Sequence, residues 1–272
     1  MEEDSFVAKI AHRLIRKHIA GNMMSSAIKK AKALNAKGLA ASITFLSEAP
    51  KDSSKSNYIT TTYVQLIREI SRLGLKASVH VPIEQLGSNL SKENALSNAK
   101  KLVEFGNKYG VFIWFEGEDS ELLRKLSSFK GVGIACKGAE NAMKYAKNGK
   151  VDIIKVVCSS KKAEEKELNA IKELSKKAKV VLLAQNDSIA EKLAKGDGYK
   201  KSLVFEFQLG YSEKRLSKWM KKGAIVSVFI PFGRDWISYI INNMPQGYIQ
   251  SIATSLLVEK KSGGNGKKRG EK

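Results

Sequence analysis

The sequence of 272 residues has few residues of the kinds that build disulfide frameworks and metal sites. It contains only two cysteines, Cys136 and Cys158, and three histidines, His12, His18 and His80. The cysteines do not form a Cys-x-x-Cys motif, so neither a disulfide scaffold nor a zinc site is expected. We predict no metal centre.

Long apolar runs are also absent. No uninterrupted run approaches the ~20 residues that span a bilayer, and the N-terminus begins MEEDSF, with acidic residues where a signal peptide carries basic ones. Hydrophobic residues make up 43% and charged residues 28%, which suits a globular protein with a sizeable core. The sequence therefore predicts a cytoplasmic protein without a transmembrane segment.

Acidic residues are scarce relative to basic ones. The chain has 48 Lys and Arg against 27 Asp and Glu, a formal charge of +21, and residues 5–47 contain no acidic residue. Such a charge favours a polyanionic partner, RNA or a ribonucleoprotein particle. A solvated lysine-rich surface of the thermophile kind is the alternative explanation. The candidate nucleic-acid contacts are Lys9, Arg13, Arg16, Lys17, Lys29, Lys30, Lys214, Arg215, Lys218, Lys267, Lys268 and Arg269.

Eight short apolar runs recur along the chain. They are nearly continuous, as in parallel strands that are covered on both faces, and amphipathic helical patterns such as 92–105 and 160–178 separate them. The runs are 39–46, 76–83, 110–116, 131–136, 151–157, 179–185, 202–208 and 224–232. This alternation predicts the α/β class and a (β/α)8 TIM-type barrel. A doubly wound open sheet remains the alternative, because periodicity does not show closure.

Three regions follow from the same patterns. Residues 1–38 form an N-terminal helical extension, with a helical pattern over 5–36, and residues 39–258 form the barrel. Residues 259–272 include SGGNGKKRGEK, which is Gly-rich and basic and predicts a disordered tail.

Polar residues occur at the predicted C-terminal ends of the strands, where (β/α)8 barrels build their active sites. The positions show no Ser-His-Asp order, no His-Glu-x-x-His motif and no glycine-rich phosphate loop, so spacing alone names no reaction. Glu116 could form a carboxylate pair with Glu118 or Asp119. Adjacent acids that lead into a helix more often cap it, and we favour capping here.

One stretch is more specific. FEFQ at 205–208, followed by PFGRDW at 231–236 and by Tyr239, resembles the C-terminal signature of the proline dehydrogenase family, flavoenzymes on a (β/α)8 barrel. Weaker matches occur in the same order as in the family: FLSE (45–48), QLG (85–87), EGEDS (116–120) and IIKVV (153–157). The resemblance covers nearly the whole chain. It implies FAD over the barrel mouth and a small secondary amine, typically proline, held by its carboxylate.

The resemblance also implies roles for particular residues. It implies catalytic roles for His80, Glu116, Lys155 and Tyr239, and substrate contacts for Tyr239, Asn242 and Asn243. It implies FAD contacts for Lys137, Lys155, Gln185, Asn186, Glu206 and Gln208. A structural role explains Glu206 and Gln208 equally well, because inward polar residues at strand ends hold neighbouring loops by hydrogen bonds.

The sequence departs from the family at the substrate positions. The family's final helix carries Tyr-x-x-Arg-Arg, whose guanidinium groups clamp the substrate carboxylate, whereas Asn242 and Asn243 follow Tyr239 here. His80 stands where the family has lysine, and Glu116 where it has aspartate. We predict a proline dehydrogenase-like barrel that has lost proline oxidation and binds a polyanion. The alternative is an active FAD-dependent dehydrogenase that oxidises L-proline or a related secondary amine.

Overall fold

The protein is described by a computed structural model that covers residues 17–146, 151–158, 165–184, 187–194, 203–236 and 239. Eight parallel strands close into one barrel, with β1 paired to both β2 and β8. The strands are β1 (Ala40–Leu46), β2 (Ala77–Pro82), β3 (Ile113–Glu116), β4 (Val132–Lys137), β5 (Ile153–Cys158), β6 (Lys179–Ala184), β7 (Leu203–Gln208) and β8 (Ile225–Gly233). The predicted (β/α)8 barrel is confirmed, and the open sheet is not formed.

The described residues form eight α-helices and one short 3-10 helix at Ile83–Leu86. The α-helices are α1 (Met24–Asn35), α2 (Ser53–Arg72), α3 (Lys92–Tyr109), α4 (Ser120–Leu126), α5 (Ala139–Ala146), α6 (Glu165–Ser175), α7 (Asp187–Ala194) and α8 (Glu213–Lys221). Asp119 caps α4 as predicted, and Ser91 caps α3, because each side chain accepts a backbone N–H of the first turn. None of the described helices is long and apolar enough to cross a membrane.

Alternation along each strand divides the core into two layers. Side chains that point outward pack against the helices and form the main core, which includes Ile43, Phe115 and Phe207. Side chains that point inward fill the barrel, where Trp114, Val181 and Val204 form a separate apolar cluster. The free thiols of Cys136 and Cys158 belong to the outer layer.

Helix α1 packs in the outer layer against β8 and β1, the position that a helix after β8 takes in a regular (β/α)8 barrel. It buries Ala27, Ala31 and Leu34 there. The predicted helical pattern over 5–36 is interrupted among the described residues: residues 17 and 18 are helical, residues 19–23 are not, and Gly21 has φ +123°. The predictions for residues 1–16 and for the tail at 259–272 lie outside the described residues.

The segment before α1 is fixed to the mouth, by which we mean the end of the barrel where the strands end. Ala20 N–H donates to Pro231 O at 2.9 Å, and Gly233 N–H donates to Gly21 O at 2.9 Å. The φ of Gly233 is +136°, and a Cβ at this position would lie 2.2 Å from Leu46 O. Glycine is therefore required where β8 closes against β1.

Candidate active site in the barrel mouth

Lys155 is the central charged group of the barrel interior. It points inward from β5 and is 0% exposed. Its Nζ lies 2.8 Å from Glu206 Oε2, 3.0 Å from Ser42 Oγ and 3.4 Å from His80 Nδ1. An ammonium group has three N–H donors, so these three acceptors satisfy it fully.

Two aromatic rings complete the surroundings of this ammonium group. Lys155 Nζ lies 4.7 Å from the ring centroid of Trp114 and 5.6 Å from that of Phe229. Ring faces attract a cation at these distances, and the attraction is stronger where water is excluded. Trp114 fits because β4 carries Gly133 beside it, where a Cβ would lie 2.4 Å from the indole ring. Carboxylate, hydroxyl, imidazole and two rings thus enclose the lysine head group.

His80 links the buried lysine to the end of the neighbouring strand. Its Nε2 lies 2.7 Å from Glu116 Oε2, so Nε2 carries a proton and donates it to this carboxylate. Its Nδ1 then accepts from Lys155. The result is a continuous line of hydrogen bonds from β5 through β2 to the last residue of β3.

Burial and these partners shift the acidities of the cluster in definite directions. Burial lowers the pKa of Lys155, although Glu206 and Glu116 oppose the shift. Burial alone would raise the pKa of Glu116, but the hydrogen bond with His80 and the charges of Lys137 and Lys155 outweigh it and hold the pKa below 4.5. Glu116 is therefore ionised at neutral pH.

Glu206 has two partners from the barrel itself. Its Oε2 faces Lys155, and its Oε1 accepts a hydrogen bond from Ser227 Oγ at 3.2 Å. The side chain is 2% exposed. This arrangement supports the structural role that the sequence offered for Glu206, since buried polar groups are stable only when they are hydrogen-bonded.

The rim beside β2 and β3 is acidic. Burial raises the pKa of Glu84, and the negative charges of Glu116 and Glu118 raise it further. Asp119 does not join this group as a catalytic partner, because its carboxylate caps α4 and lies 3.2 Å from Lys92 Nζ. The mouth therefore gathers carboxylates, in a protein whose overall charge is strongly positive.

Tyr239 lies over the barrel interior. Its ring stacks on that of Phe229 with centroids 6.4 Å apart, and Phe229 in turn meets the His80 ring edge-on at 5.1 Å. Burial raises the pKa of Tyr239, and the charges of Glu116 and Glu206 raise it further. The chain after β8 thus returns across the mouth at Tyr239.

The structure brings together five residues that the resemblance singled out: His80, Glu116, Lys155, Glu206 and Tyr239. Lys137 is exposed at the end of β4, and Gln208 is half-buried at the end of β7. Gln185, Asn186, Asn242 and Asn243 lie outside the described residues. The sequence analysis missed Ser42, Trp114, Ser227 and, as a ring beside the lysine, Phe229. Strand alternation places all four inward, and this was the available signal.

Four of the six positions that the resemblance assigns to FAD lie among the described residues. Of the six positions that the resemblance assigns to the flavin, Lys155 and Glu206 bond to one another inside the barrel. Only Lys137 and Gln208 among the described four face the mouth with side chains that are not already paired within this cluster.

Comparisons with known proteins agree with the resemblance. The chain is 24% identical to proline dehydrogenase 1 of Bacillus subtilis strain 168 over 259 residues, covering 85% of this chain and 86% of that protein. It is 25% identical to proline dehydrogenase 2 of Bacillus subtilis subsp. natto, covering 85% of both chains. No family model matches the chain.

Solved structures show the same fold. Proline utilization A from Bdellovibrio bacteriovorus, inactivated by N-propargylglycine, superposes with a TM-score of 0.68 at 13% identity, over 85% of this chain. The enzyme from Corynebacterium freiburgense gives a TM-score of 0.66 at 14% identity, over 90% of this chain. This chain spans 32% of each of those larger proteins.

The closed barrel and the charged cluster at its C-terminal end define a (β/α)8 barrel of the kind that carries its chemistry at the strand ends. Within that class, the chain is similar in sequence to bacterial proline dehydrogenases over 85% of its length.

Proposed function

We propose that this barrel has lost proline oxidation and that the protein acts by binding a polyanion such as RNA or a ribonucleoprotein particle. The observation that carries the first half is the closed charge network of the interior. Lys155 is committed to Glu206, and His80 is committed to Glu116. Neither side chain is left to receive a substrate carboxylate.

The acidic rim argues in the same direction. A proline carboxylate at the mouth would meet Glu84, Glu116 and Glu118 without a guanidinium clamp, since Asn242 and Asn243 are neutral. A buried charge that loses one partner costs about 3 to 5 kcal/mol. Each 1.4 kcal/mol is tenfold in an equilibrium constant, so such a cost would abolish useful affinity for proline.

The second half of the proposal depends on the charge of +21 and on where it lies. Of the candidate contacts, Lys17, Lys29, Lys30, Lys214, Arg215 and Lys218 are described, and all six are exposed. Lys9, Arg13, Arg16, Lys267, Lys268 and Arg269 lie outside the described residues. Binding of this kind is led by phosphate contacts and weakens steeply with salt.

Two measurements test the two halves separately. For the chemistry, the visible spectrum of the purified protein is recorded before and after incubation with FAD, followed by proline-dependent dye reduction. We expect no flavin band and no reduction; a flavin band with proline turnover would refute the loss of activity.

For binding, RNA affinity at physiological salt is compared with that of an unrelated protein of similar charge. Equal affinities would refute a binding function.

FAD-dependent oxidation of a secondary amine is the second candidate. Two observations favour it. The sequence similarity to a bacterial proline dehydrogenase covers 85% of this chain, and the ring of Tyr239 stacks on that of Phe229. A flavin band without proline turnover would direct attention to amines that lack a carboxylate, because the acidic rim attracts a cation and repels an anion.

A further inference from the structure

Barrel closure brings together two basic helices that are far apart in the sequence. Helix α1 packs against β8 and β1, and α8 also packs against β8. Lys37, just after α1, forms an ion pair of 2.7 Å with Glu213, the first residue of α8. A Cβ at Gly38 would lie 3.2 Å from the Met220 side chain. The two helices are therefore neighbours on the outer surface.

Together they carry a strongly positive surface, which we name the α1–α8 face. It contains nine Lys and Arg side chains, all exposed, and one acidic residue, Glu213. The basic residues are Lys29, Lys30, Lys32, Lys37, Lys214, Arg215, Lys218, Lys221 and Lys222. No described carboxylate forms an ion pair with Lys29, Lys30, Lys32, Lys214 or Lys221. Their charges are free to act on a partner.

The excess is smaller on the rest of the helical layer, where α2, α3 and α4 carry nine basic and four acidic residues between them. Helices α5, α6 and α7 carry four lysines and six acidic residues between them. One of these lysines, Lys166, is paired and lies 2.7 Å from Glu140. An evenly solvated lysine surface, of the kind that supports thermal stability through ion-pair networks, would show similar pairing on every side. The α1–α8 face therefore has the largest basic excess among the described helices.

We infer that the α1–α8 face binds the phosphate backbone of a nucleic acid. This inference rests on the proposed function and names its surface and partner. Nucleic-acid duplexes carry one negative charge per ~1.7 Å of axis. Helix α1 presents three lysines, Lys29, Lys30 and Lys32, within about one helical turn. The aromatic side chains beside the face do not offer stacking platforms, because Trp219 is buried and Tyr211 stacks on Phe207. The contacts are therefore independent of base sequence.

Two matched variants test this surface in the full chain. The face variant combines Lys29→Gln, Lys30→Gln, Lys214→Gln and Lys221→Gln. The control variant combines Lys100→Gln, Lys101→Gln, Lys144→Gln and Lys177→Gln, which removes the same charge from exposed positions outside the face. Circular dichroism and thermal unfolding establish that both variants fold as the parent does.

Affinity for fluorescent duplex RNA, duplex DNA and single-stranded RNA of about 20 nucleotides is measured by anisotropy between about 50 and 200 mM salt. We expect the face variant to lose at least about tenfold in affinity and to show a log–log salt slope shallower by about three, since each duplex phosphate contact contributes ~0.9. The control variant should lose less than about threefold. The ratio of the parent protein's affinities for the three probes identifies which nucleic acid is preferred.

The remaining outcomes separate the two proposals. If the parent binds well and both variants weaken equally, the α1–α8 inference is overturned while polyanion binding stands. If the parent binds no better than an unrelated basic protein, both are overturned. If the parent binds vesicles of anionic phospholipid and none of the nucleic acids, the partner assignment is wrong.

Discussion

At the scale of single residues, the interior is organised by one buried cation. Lys155 and Glu206 are 0% and 2% exposed, so both charges are removed from water. Such a pair contributes little net stability compared with apolar residues of the same size, but removal of one partner leaves an uncompensated charge. The pair is therefore a sensitive point in the barrel, whatever its role in chemistry.

We expect Glu206→Gln to lower the free energy of unfolding by about 3 to 5 kcal/mol, because the Lys155 ammonium group would stay buried without its negative partner. Urea unfolding followed by tryptophan fluorescence measures the loss. The double variant that adds Lys155→Met should be more stable than the sum of the two single changes predicts, since it removes both charges. A loss below about 1 kcal/mol in the single variant would contradict this account.

The pH dependence of stability provides a second test at this scale. The pKa of Glu116 lies below its ordinary value of 4.5 in the folded protein, so between the two values the unfolded chain binds more protons. The stability that Glu116 contributes is present above pH 4.5 and is lost as the pH falls through the lowered pKa. Glu116→Gln should therefore lower the melting temperature at neutral pH and have less effect in acid. If the melting temperatures of the parent and the variant fell in parallel as the pH is lowered, this role of Glu116 would be disproved.

How far the sequence predicts the site depends on the kind of residue. Alternation along the strands places His80, Lys155 and Glu206 inward, and the family resemblance singles them out. Neither source predicts that Lys155 pairs with Glu206 and His80 with Glu116, because the partners are distant in sequence and meet only through the register of the closed barrel. The resemblance assigns Lys155 and Glu206 to a flavin, which stays a prediction, and the structure adds that the two side chains form an ion pair.

At the scale of elements, most of the fold follows from local pattern. The apolar runs predict all eight strands, and Ala95, Ala99 and Leu102 are buried on α3 as its period predicts. The position of α1 between β8 and β1 was not predictable, because a helix that precedes β1 gives no local sign of which strands it covers. The contacts of α1 with the first strand, β1, and the last strand, β8, determine its position.

Packing between strands β3 and β4 makes a prediction at this scale. The φ of Gly133 is not in the left-handed region, so Gly133→Ala would act through space alone, placing a methyl group 2.4 Å from the Trp114 ring. Overpacking of this kind costs about 1 to 3 kcal/mol. Urea unfolding measures the cost, and Trp114→Phe introduced with Gly133→Ala should recover part of it. If the changes in unfolding free energy of the two substitutions were simply additive, the account that Gly133 makes room for the indole would be wrong.

At the scale of the whole molecule, charge is separated between two surfaces. The mouth gathers Glu84, Glu116 and Glu118, while the α1–α8 face carries nine basic side chains. The net charge of +21 conceals this division, which a sequence alone does not display. The proposed polyanion would be attracted to the α1–α8 face and repelled by the carboxylates of the mouth, so its binding would leave the interior unblocked.

Linkage between binding and folding gives the last prediction. A ligand that binds only the folded chain at 100 times its Kd raises stability by about 2.7 kcal/mol, which is several degrees in melting temperature for a chain of this size. Duplex RNA should therefore raise the melting temperature of the parent protein at low salt. The shift should disappear at high salt, because screening and counterion competition remove the phosphate contacts. The Lys29, Lys30, Lys214 and Lys221 variant should show a smaller shift than its charge-matched control. Equal shifts in the two variants would mean that binding follows net charge and does not use the α1–α8 face.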